Sequence, residues 1–337
     1  MRKVKFAIIG CGSIGERHAK HASNFGELVA VVDIKSNRKD NLKSRHNCMG
    51  FSTLNDLLSS GIEFDVLSIC TPNILHAEHT VQGLKAGKHV VCEKPMATKV
   101  KDCEMMISES INSKKMLFVV KQNRYNPPIV ALKKVLEENR LGKILNIQLN
   151  CFWNRGKDYF LESDWKGDKT LDGGILFTQF SHFLDLLLWM VGDIKNVYAI
   201  KRNFLNQDVI DLEDTGVVAL EFECGALGTI NYTINSFGKN MEGSITMFGE
   251  RGTVKIGGQY LNTLEYQNIK DYKIEINEVS ATANDYGTYQ GSMSNHDKVY
   301  KNVIDVLVNN AALGTNGIEG MKVVQLIEKI NSVNDVL

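Results

Sequence analysis

The sequence predicts an α/β domain on a parallel sheet, followed by an α+β domain on a mostly antiparallel one. Three observations carry that reading: apolar runs alternate with helical patterns at the start, closely spaced strand patterns take over after Asn126-Pro127-Pro128, and two helical patterns close the chain. In the first stretch VKFAIIG, LVAVVD, DVLSIC, HVVCEK and MLFVVKQN are separated by ERHAKHASNF, NRKDNLKSRH, HAEHTVQGLKAG and KVKDCEMMISESINS. Five strands spaced by helices make βαβ units, and unbroken runs such as FAIIG and LVAVV suit strands buried on both faces. The first domain is therefore expected over residues 1–122 and the second over residues 123–337.

In the second stretch Pro127 and Pro128 can open a helix, IVALKKVLEENRLG, that Gly142 ends. The segments ILNIQLNCFW, NVYAIKRNFL, TGVVALEFE, ALGTINYTINSF, GSITMFG and GTVKIGG read as strands, with turns such as Gly249-Glu250-Arg251-Gly252 between them. One helical segment, GGILFTQFSHFLDLLLWMVG, interrupts them, and DKVYKNVIDVLVNNA and GIEGMKVVQLIEKINSV finish the chain.

Composition excludes several classes of function. Basic and acidic residues both number 39, so no overall field favours nucleic acid or an anionic membrane. No apolar run approaches the roughly 20 residues that span a bilayer, and the start breaks into glycines after one short strand, unlike a secretory signal. The seven cysteines are scattered without a CxxC pair, which suits reduced thiols in a cytoplasmic protein and gives no structural metal site.

Gly10-Cys11-Gly12-Ser13-Ile14-Gly15 is a GxGxxG loop that follows an apolar strand, opens a helical pattern and precedes Asp33 at the end of the next strand. That context is the Rossmann dinucleotide fingerprint. Glycines allow the turn and the close approach of a pyrophosphate, with Ser13 and Ile14 at the helix start. Asp33 would accept the ribose hydroxyls and repel a 2′-phosphate, so NAD is expected over NADP, although Lys35 and Arg38 lie near. Cys11 reads as a small filler in the loop.

Cys92-Glu93-Lys94-Pro95 follows the strand HVV, at the carboxyl end where open α/β sheets bind ligands. Proline restricts Lys94 to extended backbone. Farther on, His182 and Asp185 lie three apart on one helix face, and an imidazole is a suitable general base near neutral pH. With the glycine loop, the strand ending SICTPN, the EKP turn and the GG…H…D helix in one chain, the sequence resembles the Gfo/Idh/MocA oxidoreductases. The resemblance implies a Rossmann domain, an open and mostly antiparallel second sheet, and NAD(P)-dependent chemistry on sugars or cyclitols. It further implies that Thr71, Pro72, Asn73 and His76 border the nicotinamide side. Glu93 and Lys94 would lie at the junction with substrate, Gln122 near the cofactor, and no metal is needed. Many such proteins have aspartate where this chain has Thr178. Threonine holds no charge, so catalysis would rest on Lys94 and His182, with Asp185 orienting.

Three further stretches, KQNRYNP from Lys121, FWNRGKDYFLESDWKGD from Phe152 and KNMEGS from Lys239, resemble the branch of UDP-N-acetylglucosaminuronate 3-dehydrogenases. A nucleotide-linked uronic acid calls for cationic donors and stacking rings. Arg124, Tyr125, Arg155, Tyr159, Trp165, Lys166, Thr178 and Gln179 are the candidates beside Lys94 and His182. The resemblance implies C3 oxidation, 2-oxoglutarate as a reoxidant of retained cofactor, and a homodimer or homotetramer. Two rival readings remain: another sugar or inositol dehydrogenase, and a non-catalytic NAD-binding sensor or assembly subunit.

Overall fold

The computed structural model describes residues 3–276, 278, 282–285 and 290–333. They form two compact units. One contains the chain through Lys121 together with His296–Val324, and the other contains Gln122–Asn295 and the chain from Gln325 onward.

The first unit is a six-stranded parallel sheet in the order β3-β2-β1-β4-β5-β6. Its strands are β1 Lys5–Ile9, β2 Glu27–Val32, β3 Met49–Phe51, β4 Val66–Ile69, β5 His89–Cys92 and β6 Leu117–Val119. The helices are α1 Ser13–Phe25, α2 Ser36–His46, α3 Leu54–Ser59, α4 His76–Lys85 and α5 Val100–Ser113. Central strands are mostly apolar, and Phe6, Ala7, Ile8, Val66, Leu67 and Val90 are all fully buried. The order reverses direction between β1 and β4, which opens a crevice at their carboxyl ends, the usual ligand address in such sheets.

The five expected strands are present. The short edge strand β3 and the helix α3 escape periodicity because each is brief. In α3 the decisive signal is local: Thr53 and Asp56 form a reciprocal capping box.

The second unit is built on seven strands in the order β13-β12-β11-β7-β10-β9-β8. They are β7 Ile144–Phe152, β8 Ile194–Arg202, β9 Thr215–Phe222, β10 Leu227–Thr233, β11 Glu242–Gly249, β12 Gly252–Gly257 and β13 Thr263–Ile269. Only β7 and β10 pair in parallel; the other neighbours are antiparallel. The helices here are α6 Pro127–Glu137, α7 Lys157–Leu161 and α8 Ser181–Val191, and a small ribbon pairs β14 Ala283–Asp285 with β15 Gln290–Met293.

Three details differ from expectation. Helix α6 stops at Glu137, and Asn139 takes the left-handed turn (φ 51°) that Gly142 was expected to supply alone. The segment before α8 is a π-type turn over Leu176–Phe180, not regular helix. One strand more than the six expected, β13, flanks the sheet; its alternation is weak because several of its side chains are exposed.

Helix α9 His296–Asn309 and the start of helix α10 Gly317–Ser332, as far as Val324, group with the first unit, where the expected division gave everything after residue 122 to the second domain. Helix α9 belongs to the first unit for a physical reason. The fully buried Tyr300 sits against Phe6 with ring centroids 5.3 Å apart, and its phenol bonds both Ser68 (2.9 Å) and His18 Nδ1 (3.0 Å). No cysteine forms a disulfide, and among the described residues no helix is long and apolar enough to cross a membrane.

Replacing Tyr300 by Phe keeps the ring and strands two buried polar partners, which costs about 1–3 kcal/mol. The urea midpoint should fall accordingly; an unchanged midpoint contradicts this account of why α9 joins the first unit.

Candidate active site

The dinucleotide cradle is assembled at the carboxyl ends of β1, β2, β4 and β5 of the first unit. Gly10 has φ +92°, and a Cβ there would stand 2.5 Å from the carbonyl oxygen of Cys70, so the loops after β1 and β4 touch backbone to backbone. A Cβ on Gly15 would lie 1.8 Å from the Gly10 carbonyl oxygen, so helix α1 can start this tightly only from glycine. Above Gly12 the nearest neighbour of such a Cβ is Arg38 Nη1 at 3.9 Å, which leaves the cradle open. Helix α1 begins at Ser13 and Ile14 without a side-chain cap, so its first N–H groups are available to a phosphate. Asp33 is fixed at the end of β2 by the N–H groups of Cys11 and Lys35, each 2.7 Å from one carboxylate oxygen. These residues fit a dinucleotide. Burial pushes the Cys11 thiol up to about 12, so the filler reading stands and a thiolate does not form in the loop.

Thr71, Pro72 and Asn73 leave β4 and lead into α4. His76, fully buried, places Nε2 at 2.9 Å from the carbonyl oxygen of Thr71 and Nδ1 at 2.7 Å from that of Pro95. It therefore ties the loop after β4 to the EKP turn. Burial pulls its pKa below the ordinary imidazole value, against the two carbonyl acceptors that favour the charged ring. Within the turn the Lys94–Pro95 peptide is cis. Glu93, expected at the junction with substrate, is engaged by groups of the first unit. Its Oε1 accepts from His18 Nε2 (2.8 Å) and His296 Nε2 (3.1 Å), while its Oε2 accepts from the Lys94 backbone N–H (3.0 Å). Burial alone would raise this carboxyl, but the two imidazole donors hold it well below the usual carboxylate range. Sequence reading missed His18 and His296; the one available signal was a histidine three residues after Gly15 on a helix face that must be buried.

The second unit carries polar groups of its own. Gln122, expected beside the cofactor, opens a short turn, Gln122–Tyr125, and its amide nitrogen lies 3.1 Å from both His182 Nε2 and Ser292 Oγ. An amide nitrogen only donates, so this assignment leaves His182 Nε2 as an acceptor, the form that can take a proton. One step along the turn, Arg124 reaches Asp185 through Nε and Nη2, both 2.8 Å, and covers the Trp189 ring. Turn and helix α8 are thus matched residue for residue. Arg124 is a buried strut, not an open donor for a ligand. Tyr125 is half-buried, and burial raises its phenol above the ordinary value.

A second polar group forms where β7, α7 and the π-type turn meet. Arg155 is buried and bonds Gln179 Oε1 (2.8 Å), Asn240 Oδ1 (3.0 Å) and the carbonyl oxygens of Asn154 and Gln290. Gln179 in turn donates to the Tyr159 hydroxyl (2.7 Å), and Lys166 Nζ stands 3.8 Å from the Tyr159 ring centre. The loop bearing Trp165 and Lys166 is pinned by buried Asp172, which accepts from Gly167 N–H (2.5 Å) and Gly174 N–H (2.6 Å); burial pushes this carboxyl up to about 6. Thr178 donates to the Gly174 carbonyl oxygen (3.0 Å), so its hydroxyl closes the π-type turn. Next to the matched pairs, Gln122 Oε1, both amide atoms of Asn123 and Ser181 Oγ are buried with no hydrogen-bond partner among the described residues. Each such atom costs about 1–3 kcal/mol.

The family model for NAD-binding Rossmann oxidoreductases of the GFO/IDH/MocA type matches residues 4–121, and the model for the GFO/IDH/MocA C-terminal domain matches residues 129–255. The WlbA dehydrogenase from Bordetella pertussis, solved in complex with NADH and UDP-GlcNAcA, is 34% identical; the match covers 98% of this chain and 96% of that one, with a TM-score of 0.87. This chain belongs to the GFO/IDH/MocA family. Among other GFO/IDH/MocA relatives, myo-inositol 2-dehydrogenase from Thermotoga maritima is 26% identical over 260 residues, 74% of each chain. Levoglucosan dehydrogenase from Pseudarthrobacter phenanthrenivorans is 26% identical over 215 residues, 57% of this chain and 55% of its own length. The chain thus spans about half of that relative. Like these proteins it is an NAD-dependent oxidoreductase of a family that holds sugar and inositol dehydrogenases.

Gly15→Ala forces the loop apart from α1. NADH affinity, titrated by fluorescence, should fall at least about tenfold, or 1.4 kcal/mol; wild-type affinity contradicts the cradle described here.

Proposed function

We propose that this chain oxidises the C3 hydroxyl of UDP-N-acetylglucosaminuronate to the 3-keto sugar, as a step of polysaccharide or lipopolysaccharide assembly. The observation that carries the reading is the 34% identity, across 98% of the chain, with a dehydrogenase whose complex holds NADH and UDP-GlcNAcA. The buried unpartnered polar atoms near His182 support a sugar, and the group of Tyr159, Lys166 and Arg155 supports an anionic one.

In this proposal His182 takes the C3 hydroxyl proton on an imidazole that Gln122 holds neutral. The role given to Lys94 is to steady negative charge that grows during the reaction, because a cation acts most strongly where charge develops. NAD supplies the acceptor for the hydride when it is bound. Lys166, with Tyr159 and Trp165, meets the uronate and the rings of the substrate. Arg155 and Arg124, whose donors are engaged within the protein, hold Gln179 and the Gln122 turn in place. The missing family carboxylate at Thr178 leaves the proton relay to His182. The family likeness also motivates 2-oxoglutarate as the reoxidant of a cofactor that stays bound. Self-association into a homodimer or homotetramer would use the sheet face on which Tyr198, Ile200, Val217 and Leu227 are exposed.

Lys94→Ala and His182→Asn should each lower turnover of UDP-N-acetylglucosaminuronate by about 100-fold or more, the range for general acid–base and oxyanion groups, with NADH affinity little changed. Turnover near wild type in both variants sinks the assignment. Activity confined to myo-inositol or levoglucosan in a substrate panel moves the substrate to the other branch of the family.

A further inference from the structure

Glu93 carries a charge in a place that charges avoid. It is about 5% exposed, and His18 and His296 around it are 0% and 1% exposed. Removing a carboxylate from water costs several kcal/mol unless donors replace the water. Three donors do so here: the Nε2–H groups of His18 and His296 on one oxygen, and the backbone N–H of Lys94 on the other. Among the described residues these three side chains are also the one cluster with metal-ligand chemistry; their 2.8 and 3.1 Å spacings are those of direct hydrogen bonds.

The donors are themselves held. His18 Nδ1 accepts from the Tyr300 phenol, which Ser68 bonds in turn. The His296 ring lies nearly parallel to that of His21, 13° apart with centroids at 6.4 Å. Burial, with His296 and His18 nearby, lowers His21 to about 4, so at neutral pH it brings no rival cation to Glu93. Elements α1, β5 and α9 of the first unit therefore meet at one carboxylate, and Ser68 of β4 braces them through Tyr300. A neutral side chain would fill this space without the cost of the charge. What the charge adds is one acceptor strong enough to hold two imidazoles and still fix the amide of the next residue.

We propose that Glu93, with His18 and His296 behind it, is a positioning device that fixes the Lys94 backbone and ties it to helix α1, whose first turn forms the phosphate cradle. Glu93 touches neither substrate nor cofactor in this role; it acts through Lys94. His76, bonded to the carbonyl of Pro95, steadies the next residue of the same turn. The proposal rests on Lys94 acting in the reaction as inferred above.

Two measurements test it. The first needs no substrate: amide hydrogen exchange in the NADH-bound protein. In Glu93→Gln the amide nitrogen of the new side chain opposes the Lys94 N–H. Exchange at Lys94 should accelerate about tenfold or more, the loss of a hydrogen bond to a charged acceptor, while Val91 in the strand is unaffected. His296→Leu should do the same, and His296→Gln, whose amide can still donate, should restore protection. Unchanged exchange at Lys94 in the Glu93 and His296→Leu variants overturns the clamp.

The second measurement is a double-mutant cycle on turnover. Glu93→Gln should lower kcat at least about tenfold with NADH affinity retained, yet cost nothing further when added to Lys94→Ala, because coupled residues are not additive. An equal loss in both backgrounds means that Glu93 does not work through Lys94 and overturns the proposal. If Lys94→Ala alone keeps wild-type turnover, it is the reading of Lys94 that has failed, and the exchange experiment still decides the clamp by itself.

Discussion

A carboxylate cannot sit in an apolar interior without donors, and the first unit is arranged around meeting that demand at Glu93. The glycine loop delivers α1 at an angle that brings His18 to the carboxylate. The parallel strand β5 ends at Cys92, which sets Glu93 at the carboxyl edge of the sheet. Helix α9 supplies His296 and, one turn on, the Tyr300 phenol that orients His18. The same bonds that satisfy the charge fix the EKP turn, so packing and placement of Lys94 share one cause. Because a buried donor or acceptor left alone costs about as much as a whole hydrogen bond contributes, the network is held or lost as a unit.

The second unit solves a related problem with matched pairs. Helix α8 is buried on all sides, and two of its polar residues, His182 and Asp185, need partners from one neighbour. The turn Gln122–Tyr125 provides both, an amide for the imidazole and a guanidinium for the carboxylate. Breaking a buried ion pair by removing one member costs about 3–5 kcal/mol, so Arg124 and Asp185 fix the helix against the turn. His182 then keeps its tautomer through Gln122. The π-type turn just before α8 re-aims Thr178 and Gln179, a common use of such turns near functional sites. Thr178 spends its hydroxyl on the backbone of that turn, which explains what the residue does here without giving it a charge.

Much of this was legible in the sequence. The glycine loop with Asp33, the unbroken apolar strands, the EKP turn and the His182–Asp185 spacing are local patterns, and local patterns survive in a one-dimensional reading. The elements that escaped are of another kind. Strand β3 and helix α3 are too short for periodicity to show. Helix α9 looks like any amphipathic helix, and nothing local in DKVYKNVIDVLVNNA says that Tyr300 must meet Ser68, 232 positions earlier. The position of Glu93 at a strand end suggests a ligand contact, and nothing local announces the long-range histidines that bond its carboxylate. Arg124 and Arg155 show the same gap, since charge and type suggest a ligand while the partners that occupy them are distant in sequence.

The proposed reaction is oxidation at one carbon of one class of sugar. UDP-N-acetylglucosaminuronate carrying deuterium at C3, incubated with the protein and NAD and followed by mass spectrometry, tests it directly. The deuterium should leave the sugar for the reduced cofactor, and a 3-keto product should form. Reduced cofactor without deuterium, or a sugar that keeps its C3 label through turnover, contradicts it.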